Sequence, residues 1–175
     1  MLIFKKVIDL QNYLLKHAKD KLVGFVPTMG ALHNGHISLI DESKKKCGVT
    51  VCSIFVNPTQ FNNKQDFEKY PITIEQDIYL LEKAGCDILF LPSVDEIYPN
   101  GMQLHKNYEL GFVETVFEGI KRPGHFNGVC MVVERLLNIV NPNILLLGQK
   151  DYQQCIVITK LVELMKKQEV IKVLI

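Results

Sequence analysis

The chain has 175 residues, 47% of them hydrophobic and 22% charged, with a formal net charge of +1. That balance fits one globular domain burying roughly 70% of its extended-chain surface, and it gives no global electrostatic reason to bind nucleic acid or an anionic membrane. No apolar run approaches the length of a membrane span, and Asp9, Gln11 and Asn12 interrupt the stretch where a signal peptide beginning at Lys5 and Lys6 would continue.

Taken in order, helix and strand patterns alternate. A short apolar run at 2–4 precedes a helical pattern with Val7, Leu10 and Leu14 on one face. Residues 22–26 read as a buried strand, broken by Pro27 and Gly30, and a helix follows from about Gly35 to the basic run Lys44, Lys45, Lys46. The β-branched run 49–56 predicts a strand stopped by Asn57-Pro58, with a polar loop through Asn62, Asn63 and Lys64 to Tyr70-Pro71. Thr73 is placed to cap a helix carrying Ile74, Ile78 and Leu81 and closed by Gly85, and a strand at 87–91 ends at Pro92. Between 93 and 124 the pattern weakens to a turn at 98–101 and a short helix at 112–119. Val129, Val132, Val133, Leu136, Leu137 and Val140 then set a helix over 126–140. A strand at 144–147, a loop from Gly148, a helix capped by Asp151 with Ile158, Leu161, Val162 and Met165 on one face, and a strand at 170–175 complete the chain.

The alternation predicts an α/β fold, Rossmann-like and doubly wound, with a mainly parallel sheet and helices on both faces. Neither Gly-x-Gly-x-x-Gly nor the P-loop pattern is present. Five cysteines (Cys47, Cys52, Cys86, Cys130, Cys155), an odd number without a Cys-x-x-Cys pair, read as buried small hydrophobes in a reducing compartment, so a cytoplasmic location is expected.

Two strand-to-helix loops carry the polar chemistry. In the first, His33 and His36 stand three apart at a helix entry, beside backbone N–H groups without intrahelical partners. That pairing suits a phosphate, a histidine cap or a two-histidine metal corner. In the second, Lys150 within Gly148-Gln149-Lys150-Asp151 is either a point charge for phosphate oxygens or a solvated lysine beside a cap. Together the two loops describe a pocket that stabilises a phosphoryl group gaining negative charge.

The motifs Pro27-Thr28-Met29-Gly30-Ala31-Leu32-His33-x-Gly35-His36, Phe55-Val56-Asn57-Pro58-x-Gln60-Phe61, Asp66-x-x-x-Tyr70-Pro71, Arg122-Pro123-x-His125-Phe126-x-Gly128-Val129 and Gly148-x-Lys150-Asp151-x-Gln153-Gln154 occur in this order. Together they resemble the pantoate–β-alanine ligase (pantothenate synthetase) family over nearly the whole length. His-x-Gly-His alone would indicate only the wider nucleotidyltransferase superfamily.

The resemblance implies condensation of pantoate with β-alanine through a pantoyl adenylate, with ATP and Mg²⁺, releasing AMP and pyrophosphate. It implies an ATP loop of Met29, Gly30, Ala31, Leu32, His33, Asn34, Gly35 and His36, with His36 as proton donor and His33 beside it. Gly148, Gln149, Lys150 and Asp151 match the family's other ATP segment, with Lys150 on the phosphates. Gln60 and Gln154 match the glutamines that hold pantoate, Gln60 also lying near β-alanine. Asp77 matches an acidic stretch near the Mg²⁺ and phosphate region, or is a surface helix residue. Arg122 and His125 order the cleft wall or form a structural turn. The same resemblance implies that Val132 and Val133 line the pantoate pocket, where Met131 replaces the family's usual threonine.

The family's Ser-Ser-Arg-Asn segment and smaller C-terminal domain have no counterpart in residues 1–175. The expectation is therefore an N-terminal ATP- and pantoate-binding domain with impaired turnover, from a family of homodimers, acting on small molecules with no nucleic acid or membrane partner. Two rival readings are another adenylyl-transferring enzyme of the superfamily and a non-catalytic ligand- or metal-binding module using His33 and His36.

Overall fold

The apolar runs that alternate with amphipathic helices have one way to bury both of their faces, which is a sheet covered on each side. The computed structural model describes residues 1–61, 63–102 and 107–175, and the side chain of Lys64 is outside that description, as is the expected loop position Asn62. The elements are β1 (Leu2–Phe4), α1 (Val7–His17), β2 (Val23–Thr28), α2 (Asn34–Lys46), β3 (Val49–Ile54), α3 (Lys64–Glu68), α4 (Ile74–Lys83), β4 (Ile88–Phe90), α5 (Val94–Ile97), α6 (Glu118–Lys121), α7 (His125–Val140), β5 (Ile144–Leu146), α8 (Tyr152–Leu164) and β6 (Lys172–Leu174). Among the described residues, three 3₁₀ turns, Pro58–Gln60, Gly111–Thr115 and Gln149–Asp151, lie in the connections.

All strand pairs are parallel, in the order β1-β4-β3-β2-β5-β6. Successive side chains point to opposite faces, and the core divides accordingly. Phe25, Val51, Ile88, Phe90 and Leu145 pack with Leu10 and Leu14 of α1, the apolar face of α7, and Val157, Ile158 and Leu161 of α8. Val26, Cys52, Ile54, Leu89, Ile144 and Leu146 pack with Ile40 of α2 and Leu81 of α4. Steps from β2 to β3 to β4 use helices on the second face. The steps from β1 to β2, β4 to β5 and β5 to β6 run the other way and use the first, as a constant crossover hand requires.

The architecture is the expected one, except that the sheet is parallel throughout. Local details differ. Pro27 does not end β2, because the ladder to β5 stops at Phe25–Leu145 and Pro27 lies where β2 is paired with β3 alone. The helix expected at 112–119 divides into Gly111–Thr115 and α6, with Phe117 at φ 49° between them. Neither Thr73 nor Asp151 caps a helix through its side chain, and α3 forms within the expected polar loop. Four cysteines are buried, whereas Cys47 is half-buried at the end of α2.

Gly24 lets α2 lie close on β2: a Cβ there would overlap Ser43 Oγ and come to 2.8 Å from Cys47 Sγ. Ser43 is fully buried and its hydroxyl pairs with Thr50 Oγ1 at 2.8 Å. Gly24→Ala should therefore lower the unfolding free energy by about 1–3 kcal/mol through overpacking, measured by denaturant titration. An unchanged midpoint would show that the contact relaxes without cost.

Candidate functional site

β2 and β5 are neighbours whose following helices leave to opposite faces of the sheet, so the two loops separate and open a crevice at the strands' C-terminal ends. A cleft of about 560 Å³ lies there, in the size range of small-molecule sites. From the first loop, Met29, His33, Gly35 and His36 line it. From the second come Gly148, Gln149, Lys150 and Asp151, with Gln154 on the first turn of α8 and Gln60 from the turn after β3. Val129, Val132, Val133 and Leu136 of α7 form an apolar wall. Gly30, Ala31, Leu32 and Asn34 are not on the lining; they shape the backbone behind it.

That backbone is held by Asp77, which is 1% exposed. Its Oδ2 accepts from Ala31 N at 3.0 Å and its Oδ1 from Leu32 N at 2.8 Å, and Thr73 Oγ1 donates to Oδ1 at 3.2 Å. Gly30, at φ +84°, has room only for its hydrogen, since a Cβ would stand 3.0 Å from Asp77 Oδ2 and 3.1 Å from Ile54 Cγ2. Ala31 also takes a left-handed φ of 50°, which a non-glycine residue adopts only when its surroundings hold it there. Asp77 is thus neither a surface residue nor a cleft carboxylate. The sequence carried a signal for this: Ile74, Asp77, Ile78 and Leu81 fall at offsets 0, 3, 4 and 7, which puts Asp77 on the buried face of α4.

His33 is the N-cap of α2. Its Nδ1 accepts from Gly35 N at 3.1 Å, and His36 Nδ1 accepts from His33 N at 3.3 Å, closing a reciprocal cap with the rings 4.2 Å apart. Backbone N–H groups can only donate, so in this geometry each imidazole is neutral and carries its proton on Nε2. Burial holds the His36 pKa below its usual value, and the neighbouring His33 adds to this. The cap and the ligand-facing reading therefore coexist, with Nδ1 serving the helix and Nε2–H remaining as a donor. Among the described residues no group of three His, Cys, Asp or Glu side chains gathers as a metal site.

The turn bearing Gln60 is fixed from beneath. Asn57, 1% exposed, donates through Nδ2 to Gly128 O at 3.2 Å and to Gln60 Oε1 at 3.2 Å, while Tyr98 OH and Thr59 Oγ1 donate to its Oδ1 at 2.8 and 3.1 Å. Since Gly128 O only accepts, the Asn57 amide has one orientation, and it imposes one on Gln60. Gln60 consequently presents Nε2, now 3.0 Å from Met29 Sδ. A Cβ on Gly128 would overlap the Thr59 carbonyl and lie 3.0 Å from Gln60 Cα, so α7 approaches this turn as closely as a glycine allows. Asn57 reads in sequence as a strand stop, and nothing local reveals that it orients Gln60.

His125 is 5% exposed, and its Nδ1–H donates to Gln60 O at 2.8 Å, while Arg122 pairs with Glu118 on the surface at 3.3 Å. Gln153, beside Gln154, faces away from the cleft, donating to Val113 O and Val116 O at 2.8 Å each and accepting from Glu118 N at 3.0 Å. The motif pair thus splits into a structural clamp and a cleft residue. Tyr70 also lines the cleft, held edge-on by Phe61 with ring centroids 5.8 Å apart.

Two outcomes are expected. Asp77→Asn sets an amide N–H against a backbone donor and should cost about 1–3 kcal/mol, with faster hydrogen exchange at Ala31 and Leu32; unaltered exchange would show that the loop holds itself. Burial lowers the folded pKa of His125, whereas the unfolded residue titrates near 6.5. The unfolded chain then binds the extra proton first, so this contribution is complete above about pH 6.5 and is lost as pH falls towards the folded value. Denaturation curves of His125→Gln should lose that part of the acid dependence.

Residues 2–175 match the family described as pantoate-beta-alanine ligase. Pantothenate synthetase from Francisella philomiragia is 50% identical over 163 residues, 93% of this chain and 62% of that protein, and the one from Porphyromonas gingivalis strain ATCC 33277 is 49% identical over 166 residues, 94% and 58%. The Francisella tularensis pantoate-beta-alanine ligase, solved in complex with beta-gamma ATP and beta-alanine, superposes with a TM-score of 0.91 at 44% identity, covering 99% of this chain and 66% of that one. Pantothenate synthetase from Thermus thermophilus gives 0.90 at 40% identity, covering 99% and 60%. The chain spans about three fifths of the length of these relatives. With the sequence match running the length of the same all-parallel fold, the chain belongs to the pantoate–β-alanine ligase family.

Proposed function

We propose that this chain forms the ATP- and pantoate-binding domain of a pantothenate synthetase, whose complete reaction joins pantoate to β-alanine through a pantoyl adenylate. The observation that carries this reading is the meeting of two loops in one cleft, with neutral imidazoles at a helix entry from one loop, a lysine from the other, and an oriented glutamine and an apolar wall on the same lining. Support for the nucleotide and the amine comes from the Francisella tularensis relative, solved with beta-gamma ATP and beta-alanine.

In the first step a pantoate carboxylate oxygen attacks the α-phosphorus and the bond to pyrophosphate breaks. Negative charge then grows on the non-bridging and departing oxygens. His33 and His36 offer Nε2–H donors and Lys150 an ammonium, and the exposed N-terminus of α2 adds its dipole. Because the backbone fixes both Nδ1 atoms, the donors need no reorganisation as charge develops. Gln60 faces an acceptor on the acid, its amide unable to turn over, and Gln154 lines the same cleft from the first turn of α8. Val132 and Val133 exclude water from the acid's carbon skeleton. In the second step the amine of β-alanine attacks the adenylate carbonyl, the bond to AMP breaks, and the amide forms.

Mg²⁺ has no cage of its own among the described residues. Both oxygens of Asp77 accept backbone N–H bonds, Gln76 stands beside it, and of the acidic side chains only Asp151 reaches the cleft lining. This chain's own charge on the phosphates is therefore assigned to the Lys150 ammonium, with His33 and His36 adding neutral Nε2–H donors.

The test is calorimetric titration with ATP and measurement of AMP release, on this chain and on a chimera carrying the remaining part of the Francisella philomiragia relative. AMP should appear only when pantoate and β-alanine are both supplied, and Lys150→Ala should slow it by roughly 100- to 1,000-fold, the usual loss for one such donor. Release with another acid in place of pantoate, or a Lys150→Ala protein as fast as its parent, would overturn the assignment.

A further inference from the structure

Gln60 Nε2 has an odd resting partner. It donates to the thioether of Met29 at 3.0 Å, and a thioether sulfur is a weak acceptor. The amide cannot turn away, because Asn57 Nδ2 holds Oε1 and Gly128 O fixes Asn57. Met29 belongs to the nucleotide loop and Gln60 to the seat of the acid, so this contact joins the two halves of the cleft. Met29 is only half-buried and lies on the open lining. Of the other methionines, Met131 is 7% exposed in the core and Met102 is 45% exposed at a surface turn. Among the described residues, Met29 is the one methionine on the cleft wall.

We propose that Met29 is an oxidation-sensitive site whose conversion to the sulfoxide by a peroxide closes the acid subsite. A lone pair on Sδ attacks a peroxide oxygen, the O–O bond breaks, the S–O bond forms, and the other oxygen leaves as water. Sulfur loses two electrons and the peroxide gains them. Reversal requires a methionine sulfoxide reductase with a thiol reductant, which returns the thioether and yields a disulfide and water.

The effect follows from the space available. At 3.0 Å there is no room for an oxygen between Sδ and Nε2. The new oxygen must either point into the cleft, where the acid sits, or displace the Gln60 amide and take its N–H as a far stronger acceptor than sulfur. Displacement works against the Asn57 and Gly128 contacts. In both arrangements the donor that Gln60 presents to the acid is lost or blocked, and a flexible apolar side chain has become polar. The neighbouring His33 and His36 stay capped on their own backbone, so nucleotide binding changes less than acid binding. The proposal rests on the reading of Gln60 as part of the acid's seat.

The experiment uses the full chain, treated with hydrogen peroxide, then with dithiothreitol, which restores oxidised thiols such as that of half-buried Cys47 but leaves sulfoxides in place. Peptide mass spectrometry follows oxidation at Met29, with Met102 as an exposed reference, and calorimetry follows pantoate and ATP. Oxidation at Met29 should track a loss of pantoate affinity of about tenfold, the size of one hydrogen bond, recovered by methionine sulfoxide reductase. Bound pantoate should protect Met29 and not Met102. In Met29→Leu, compared with its own untreated form, peroxide should leave the pantoate affinity unchanged. Three results would overturn the proposal: Met29 oxidised at unchanged pantoate affinity, Met29 untouched while Met102 is oxidised, or an equal loss in Met29→Leu. Untreated protein that takes up no pantoate would instead overturn the acid-seat reading, and this proposal with it.

Discussion

The structure turns on the place where β2 and β5 stop pairing. Their ladder ends at Phe25–Leu145, and β2 continues for three more residues against β3 alone. Beyond that point α2 leaves towards one face and α8 towards the other. Each helix is committed to its face by what it buries: Ile40 meets Val26 and Ile54 on one side, and Val157 and Leu161 meet the α7 layer on the other. The crevice is therefore not carved into a finished domain. It is the gap left when two neighbouring strands send their helices to opposite sides.

Polar groups then hold that gap in shape. A buried carboxylate spanning two backbone donors costs desolvation and repays it only in a fixed geometry, which is why Asp77 sets the loop after β2 in a left-handed step at Ala31. A buried amide facing one backbone carbonyl has a single orientation, which is why Asn57 decides the orientation of Gln60. Both residues work at one remove from the cleft, and both come from elements that the core has already positioned. The histidines show the same economy within a single turn, one ring nitrogen capping the helix while the other stays free to donate.

Much of this was legible in advance. Alternating apolar runs and amphipathic helices gave the doubly wound sheet, and the order of motifs gave the family. The sequence singles out His33, His36, Gln60, Lys150 and Gln154 as candidates, and the fold brings all five to the lining of one cleft. Local signals mislead where a distant partner competes with them. Pro27 reads as a strand end until the missing β5 ladder is seen, and Thr73 reads as a cap although its hydroxyl bonds to Asp77. Asn57 and His125 carry no local sign of the contacts they make with Gln60.

The sequence by itself determined which segments become strands and helices, which face of each is apolar, and which polar residues stand at the strand ends, because these follow from periodicity and from the stereochemistry of a few adjacent residues. Only the tertiary structure decided that Asp77 is a buried staple, that Gln60 presents its N–H group rather than its carbonyl, that Gln153 turns away while Gln154 turns in, and that Met29 lies against Gln60. Each of these depends on a hydrogen bond between residues far apart in the chain, or on the side of a helix that another element happens to cover, and no local pattern encodes either.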